Sequence, residues 1–359
     1  MPILAYEMGA SPFLIGLIGA SGGMAYAAVT RVFGSASDRF SRKKLLFVAE
    51  LVQAFSMVLC LVSRNPYQLI FARIVLSVGT ALFWPLSEAY IGDLAGANQL
   101  DNALMNYNVS WSLATIIGPQ LGGFLIAWFF IRAPFIGALA LFFFIAMLLL
   151  LMTEVNINRS YNASHLNNDQ KLSQHATEDP KAFTLIYVFL FGFNSSILTA
   201  LFPAYATRLG VSANLIGFMF LLSGLTQTLT FFLANKLRSK LGNGMMLLVS
   251  SFFIICSLTM IGLGSPMALF YLGFAIFGLG QGMAYSTAIS LVLKRSASRR
   301  GKAAGLFEST LGFGSAVGPL VGGVFYQVSD AYPYFFGAFV SLSIMASQLL
   351  PIRRHDRAN

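Results

Sequence analysis

Charged residues are scarce in this sequence. Only 10% of its 359 residues are Asp, Glu, Lys or Arg, whereas 57% are hydrophobic. A water-soluble domain carries roughly a quarter charged residues, because its surface has to remain hydrated. The composition therefore excludes an ordinary soluble protein and requires that most of the surface face something other than water.

Cysteine is almost absent, and a cleavable signal peptide is not visible. The two cysteines, Cys60 and Cys256, lie in apolar segments and lack the spacing of a metal site. The first residues do not show a basic region followed by an apolar core, which is the order found in secretory signals. We expect neither a metal nor any other cofactor.

Long apolar runs fill most of the chain. They approach about twenty residues, the length that crosses a hydrocarbon core of about 30 Å. They are continuous rather than alternating, which excludes a membrane barrel. The sequence therefore predicts an all-α multi-pass membrane protein. The predicted helices cover residues 12–34, 45–63, 67–94, 103–131, 133–153, 183–206, 212–235, 244–264, 266–293, 303–327 and 331–352.

Basic residues mark one of two sets of loops. The net charge is +10, and the other loops hold at most one basic residue each. Because cytoplasmic loops are rich in Lys and Arg, we expect the basic loops and the C-terminus on the cytoplasmic side of the cell membrane. Short basic clusters between apolar spans also argue against a nucleic-acid partner. The basic loops are residues 31–44, 154–181, 235–244, 293–302 and 353–357.

A long polar segment divides the chain into two halves. It is rich in Asn, Ser and Gln, which cannot build a core, so we interpret it as a flexible cytoplasmic linker. The predicted organisation is an N-terminal bundle over 1–153, the linker over 154–182, a C-terminal six-helix bundle over 183–352 and a cytoplasmic tail over 353–359.

The two halves repeat each other in the same direction. The opening "PILAYEMGASPFLIG" matches "PAYATRLGVSANLIG", which places Pro2 against Pro203 and Gly16 against Gly217. Near the other end of each half, Pro119 aligns with Pro319. Colinear halves joined by a cytoplasmic linker indicate parallel repeats around an axis normal to the membrane.

The first half is one helix shorter than the second. Its stub, "PILAYEM", is predicted to be the outer end of a first helix whose body is absent, so that eleven complete helices are visible of an expected twelve. Two explanations for the missing helix stay open: a start codon that was assigned too late, and a gene that is truncated. A genuine eleven-helix design is the alternative.

The loop "GSASDRFSRKK" resembles the signature between the second and third helices of the major facilitator superfamily. The matching residues are Gly34, Asp38, Arg39, Arg42 and Lys43, and Ser41 replaces the second glycine. The resemblance extends over essentially the whole chain. It implies two rocking bundles and alternating access to a central site.

The same resemblance implies a gate on the cytoplasmic side. Asp38 would latch the two halves together, and Arg42 would pair with an acid at the end of the fourth helix, where "IGDL" supplies Asp93. A plain cluster of topology-determining charges is the alternative interpretation of this loop.

A glycine-rich pattern occurs once in each half. "GPQLGG" is similar to the fifth-helix motif of proton-coupled efflux members of this superfamily, and "GSAVGPLVGG" is its second-half copy. Glycine permits close helix contact and proline permits a kink, so we interpret the pair as a seam between the bundles. The predicted seam residues are Gly118, Pro119, Gly122, Gly123, Gly314, Gly318, Pro319, Gly322 and Gly323.

Few ionisable residues lie inside the predicted helices. Arg73 belongs to a stretch that resembles the fourth-helix pattern of the family, and its alternative role is snorkelling to the outer interface. Glu88 and Glu308 are the best candidates for carrying protons, with gate roles as the alternative, and Glu50 is the third glutamate. All three lie close to the predicted cytoplasmic face. The absence of a mid-membrane acid favours a neutral or lipophilic substrate.

Uncharged residues supply the remaining cavity candidates. Each one has a simple helix–helix hydrogen bond or packing contact as its alternative role. They are Asn108, Trp111, Asn194, Gln227, Gln281 and Tyr285.

The sequence thus predicts a secondary transporter, with proton-coupled export of a small, largely apolar molecule favoured and a monomer expected. An uptake transporter for a sugar or another metabolite is the alternative within the same fold. A membrane-embedded enzyme would need paired acids, or a nucleophile with a base, at membrane depth. We find neither in the sequence. A truncated fragment that binds without transporting is the remaining alternative.

Overall fold

The computed structural model describes residues 1–33, 41–151, 182–295 and 300–356. Within these ranges the description of the side chains leaves out residues 32–33, 85, 88–105, 108–109, 182, 235, 293–295, 300–305 and 349–356. The described residues form helices joined by short turns, in agreement with the predicted all-α class.

The helices follow one another along the two halves. In the first half they are α1 (Pro2–Glu7), α2 (Pro12–Phe33), α3 (Arg42–Val62), α4 (Pro66–Trp128) and α5 (Ala133–Leu151). In the second half they are α6 (Ala182–Arg208), α7 (Ala213–Leu263), α8 (Met267–Arg295), α9 (Arg300–Val328) and α10 (Tyr332–Asp356).

Helix α4 contains two antiparallel arms. Its 63 residues would extend about 95 Å if they were straight. However, the hydroxyl oxygens of Ser87 and Tyr107 are 3.0 Å apart, whereas a straight helix would separate these residues by about 30 Å. The chain therefore reverses between them, and the arms correspond to the predicted helices over 67–94 and 103–131, the second of which ends already at Trp128.

Helix α7 is divided in a similar way. Gly242 has φ 75° and ψ 165°, a conformation outside the helical region. Glycine adopts a positive φ without a steric penalty, so the chain turns here between the predicted helices over 212–235 and 244–264. A second glycine of positive φ, Gly264, ends the helix in the left-handed conformation.

Ten stretches of the described residues are long and apolar enough to cross a membrane. They lie in α2, α3, both arms of α4, α5, α6, both arms of α7, α8 and α9. The last predicted span, 331–352, falls within α10. Many of the outward side chains are large and apolar, for example Leu141, Phe144 and Met147 of α5, which are at least 60% exposed. Such faces suit a hydrocarbon environment.

The turns lie at two opposite ends of the bundle. The short-loop end contains the turns at residues 8–11, 63–65, 129–132, 209–212, 264–266 and 329–331. The opposite end, hereafter the basic-loop end, contains the described helix ends that border the predicted basic loops. The capping box of α4, in which the Asn65 side chain accepts a hydrogen bond from the Gln68 amide, lies at the short-loop end.

An aromatic core holds the second half together. The ring of Phe202 in α6 lies 4.6 Å from Phe274 and 5.3 Å from Phe270 in α8, and 6.4 Å from Tyr334 in α10. Edge-on and tilted ring pairs of this kind stabilise a core beyond the apolar area that they bury. These contacts fix α6, α8 and α10 as one unit, against which the first half packs.

Candidate functional site

Helices α2 and α9 form one contact between the halves. A Cβ atom added to Gly16 would lie 2.8 Å from the Cα of Gly323, and one added to Gly23 would lie 2.8 Å from the Cα of Ala316. Added to Gly19, it would lie 2.9 Å from the Cβ of Pro319. Only glycine permits so close an approach of two backbones, a property that membrane helices use to associate.

The second arm of α4 and the first arm of α7 form the other contact. A Cβ atom on Gly217 would lie 2.6 Å from the carbonyl oxygen of Pro119, and one on Gly123 would lie 2.5 Å from that of Ala213. Closer to the basic-loop end, the hydroxyls of Ser112 and Thr228 are 2.5 Å apart. The two helices therefore touch along most of their length.

The two contacts are copies of each other. Gly16 meets Pro319 and Gly323, and its repeat partner Gly217 meets Pro119 in the other contact. The sequence repeat had singled out Gly16 and Gly217, but the predicted seam did not include them.

The predicted seam residues divide into three groups. Pro119, Gly123, Pro319 and Gly323 lie in the contacts between the halves. The other glycines of α9 pack instead against α6 inside the second half, because α9 presents its opposite face to that helix. These are Gly314, Gly318 and Gly322. Nothing lies within 4 Å of a Cβ atom built on Gly118 or Gly122.

A hydrogen bond links the halves near the basic-loop end. The Tyr26 hydroxyl of α2 donates to Oε2 of Glu308 in α9 at 3.0 Å. Both residues are half-buried. Glu308 was predicted as a proton carrier or gate residue, whereas Tyr26 carried no signal in the sequence because its partner is far away along the chain.

An aromatic cluster surrounds Tyr285 of α8, and it contains one residue from the first half. The Tyr285 ring lies 5.0 Å from Phe191, 5.4 Å from Phe307, 5.9 Å from Phe231 and 6.4 Å from Trp111. Trp111 belongs to α4 and also stacks on Phe231 at 6.4 Å. These five rings, hereafter the aromatic cluster, bring together Trp111 and Tyr285, which the sequence had offered as separate candidates.

The three amide candidates occupy different environments. Gln281 lies one turn before Tyr285 on α8, is 1% exposed, and neither amide atom has a hydrogen-bond partner in the described part of the chain. Gln227 is half-buried where α7 meets α8 at Gly282. Asn194 is fully buried and donates to Ser341 at 3.1 Å. It lies in the contact of α6 with α10, which agrees with the alternative role offered from the sequence, a helix–helix hydrogen bond.

Arg73 packs over a glycine of α2. A Cβ atom on Gly22 would clash with the guanidinium and would lie 2.9 Å from the Ser77 hydroxyl. No carboxylate of the described side chains pairs with Arg73. The guanidinium therefore lies between α2 and α4 rather than at the lipid surface. Glu88 and Asn108, two further candidates, lie outside the described side chains.

Most of the predicted gate falls outside the described residues. Gly34, Asp38 and Arg39 are among the residues left out, and the side chain of Asp93 in α4 is not described. Arg42 is the first residue of α3. Lys43 donates to the carbonyl oxygen of Leu150 at 3.1 Å, next to the C-terminus of α5, where a cation interacts favourably with the helix dipole.

Two other arginines tie helices together within a half. Arg132 donates to the carbonyl oxygens of Leu61 and Ser63 at 2.6 and 2.7 Å and thereby caps the C-terminus of α3. Arg238 donates to the Ser290 hydroxyl at 2.7 Å and joins α7 to α8. The sequence did not predict either contact, because both arginines lie in segments that were interpreted as loops.

Two adjoining cavities open between the halves at the short-loop end, with volumes of about 410 and 210 Å³. Ile3, Ile126, Ile131 and Ala213 line both of them. Their walls are mainly apolar and come chiefly from α1, α4 and α7, with further residues from α5 and α6.

Comparison with known proteins agrees with this architecture. The family model of the Major Facilitator Superfamily matches residues 1–297 and 184–359. "Multidrug resistance protein 2" of Bacillus subtilis is 26% identical over 321 residues, which are 85% of this chain and 78% of the relative. "Proton-coupled antiporter flippase LtaA" of Staphylococcus epidermidis is 24% identical over 333 residues, 89% of this chain and 81% of the relative.

A solved structure has the same fold. A mutant form of the nucleoside transporter NupG superposes with a TM-score of 0.79 at 14% identity, covering 97% of this chain and 94% of that one. The structural similarity agrees with the two repeated helical halves and with the family match along the chain. The protein therefore belongs to the major facilitator superfamily: it is a multi-pass membrane transporter of small molecules and not an enzyme.

Proposed function

We propose that this transporter exports a small neutral or lipophilic molecule in exchange for protons, by alternating access between its two halves. The observation that carries the proposal is the aromatic cluster at the contact of the halves, together with the Glu308 carboxylate, which directly follows the cluster's Phe307 on α9. Each of these features joins residues of both halves, so each changes when the halves move.

The aromatic cluster suits a lipophilic substrate. Aromatic faces offer a large apolar contact area with little loss of side-chain freedom on binding. Small-molecule sites are mostly apolar with a few polar groups that fix orientation, and Gln281, one turn from Tyr285, supplies an unpartnered amide of that kind. The name of the Bacillus relative, a multidrug resistance protein, supports a substrate of this class.

Glu308 provides a way to couple protons to movement. As a carboxylate it accepts a hydrogen bond from Tyr26 across the two halves, and charged acceptors make the stronger hydrogen bonds. A proton on Glu308 removes that charge and weakens the link, so protonation favours arrangements in which α2 and α9 separate. Glu88 stays the second candidate for this role. The name of the Staphylococcus relative, a proton-coupled antiporter, is consistent with the proposal.

The remaining parts of the mechanism follow the predicted orientation. With the basic loops in the cytoplasm, Asp38, Arg42 and Asp93 would close the cytoplasmic side, and the glycine contacts would act as the pivots between the halves. We also propose a working monomer, because both of the halves that alternating access requires belong to one chain.

The test is efflux of Nile red, a neutral lipophilic dye, from preloaded bacteria that lack their own efflux pumps and express this chain. We expect efflux that stops when a protonophore collapses the proton gradient. Glu308→Gln, which removes the charge but keeps the shape, should slow efflux at least tenfold. Glu7→Gln, on an exposed carboxylate of α1, should leave it unchanged. Efflux that is indifferent to the protonophore would contradict the proposed coupling, and efflux no faster than without the protein would contradict the substrate class.

A further inference from the structure

Glu50 is buried inside the first half, away from the contacts just described. It lies on α3 and is 2% exposed. Its Oε2 atom is inaccessible and has no hydrogen-bond partner in the described part of the chain. Buried polar atoms are almost always hydrogen-bonded, so this carboxyl group requires an explanation.

Its neighbours along α3 differ on its two sides. Leu46, one turn before Glu50 on the same face, belongs to an apolar cluster with Leu86 of α4 and Leu149 of α5. The amide oxygen of Gln53, one turn after Glu50, lies 3.4 Å from the Thr80 hydroxyl of α4, which itself donates to the Leu76 carbonyl oxygen at 2.8 Å. The carboxyl group therefore lies where an apolar cluster meets a polar strip.

No described cation forms an ion pair with Glu50. On α3 itself, Lys43 and Lys44 lie about two turns before Glu50, and Lys43 donates to the carbonyl oxygen of Leu150. Helix α5, which packs against α3, has no ionisable side chain. The first arm of α4 carries Tyr67 and Arg73, but Ala49 lies opposite Gly79, so Arg73 is about two turns or more further along α4. Glu88, also on α4, has no described side chain. Burying an ionised carboxylate without a partner costs several kcal/mol or more, and a neutral carboxyl group avoids most of that cost.

We propose that Glu50 is a proton-binding site of this transporter, separate from Glu308. Its carboxyl group holds a proton while α3 is packed against α4 and α5 as it is here, and it exchanges that proton with water when this packing loosens during transport. The second part rests on the proposed proton coupling. The first part does not.

A polar strip connects this site to the moving contact. From Gln53 the strip continues through Thr80 to Ser77, one turn earlier on α4, and Ser77 lies with Arg73 against Gly22 of α2. Helix α2 is the one that meets α9 of the other half. These polar residues thus lie between Glu50 and α2, the helix whose movement the transport cycle requires.

The first measurement is the infrared spectrum of the purified protein in lipid nanodiscs at pH 7. The wild-type-minus-Glu50→Gln difference should contain the carbonyl band of a protonated carboxyl group. Glutamine resembles the protonated acid in shape and charge, so the variant should fold. The matched control, Glu7→Gln, should remove only the bands of an ionised carboxylate. A Glu50→Gln difference that contains only ionised bands would overturn the proposal.

The second measurement follows the same carbonyl band after transfer to D₂O. The band shifts when the proton is replaced. In protein reconstituted into liposomes, we expect this shift to be at least tenfold faster while Nile red is being transported. If the exchange rate is the same with and without transport, the role of Glu50 in transport is wrong, and its proton has only a structural role. The two proposals can fail separately. Wild-type efflux that is insensitive to the protonophore would refute the general proton coupling. The absence of the protonated carbonyl band at pH 7 would refute only the proposal for Glu50.

Discussion

At the scale of single residues, the most informative side chains are those that meet partners from the other half. Trp111 and Tyr26 belong to the first half, but their aromatic and hydrogen-bonding partners belong to the second. Trp111 was predicted as one of the uncharged cavity candidates, because no acid lies at the mid-membrane level of the predicted helices. Tyr26 was not, because nothing next to it in the chain distinguishes it from a lipid-facing tyrosine.

Trp111 lends itself to a direct test of the aromatic cluster. Trp111→Ala removes one aromatic face from the proposed substrate site. An aromatic pair is worth about 0.5–1.5 kcal/mol beyond buried area, so losing the contact with the dye should weaken binding by about twofold to twelvefold. The measurement is the affinity for Nile red by fluorescence titration. Trp128→Ala is the matched control, since Trp128 is on the same arm of α4 but 73% exposed. Equal affinities of the two variants would remove the cluster from the substrate site.

At the scale of helices, the glycine patterns predicted close packing but did not reveal which face meets which helix. Pro119 and Gly123 touch α7, whereas Gly318 and Gly322 touch α6 of their own half. A helix has more than one packed face, and a glycine-rich segment offers small residues on each of them. The sequence therefore identified the helices of the seam and assigned several of their glycines to the wrong partner.

Two glycines allow a matched comparison at this scale. Gly217→Ala places a methyl group 2.6 Å from the Pro119 carbonyl oxygen, and overpacking of this kind costs about 1–3 kcal/mol. Gly118→Ala meets nothing within 4 Å, so it should be neutral or stabilise the helix by up to about 1 kcal/mol. Thermal unfolding of the purified variants, followed by tryptophan fluorescence, compares them. A Gly217→Ala protein as stable as Gly118→Ala would show that the close contact is not maintained.

At the scale of the whole molecule, the arrangement consists of two bundles whose main contacts run along two related helix pairs. The repeat in the sequence predicted this symmetry, and the contacts of Gly16 and Gly217 reproduce it. Transport by alternating access requires these pairs to separate at one end of the molecule and then at the other. The side chains nearest the basic-loop end are therefore the place to block the movement.

A cross-link between the halves tests that requirement. The hydroxyls of Ser112 and Thr228 are 2.5 Å apart, so Ser112→Cys combined with Thr228→Cys should form a disulfide under mild oxidation. Native Cys60 and Cys256 are replaced by Ala in this background. We expect oxidation to slow Nile red efflux at least tenfold and a reductant to restore it, while each single variant is insensitive. Full efflux by the cross-linked protein would mean that α4 and α7 move together.

The sequence by itself determined the membrane spans, the two colinear halves and the family, because these depend on composition, on period and on motifs within short segments. Only the tertiary structure decided that Trp111 meets Tyr285, that Tyr26 meets Glu308 and that Asn194 is a packing residue. It also showed that Glu50 is buried with an unpartnered carboxyl oxygen in the described part of the chain, whereas in the sequence Glu50 was one of three glutamates near the same face. The reason is physical: burial and partnership are set by the helices that pack against a residue, and those helices come from distant parts of the chain.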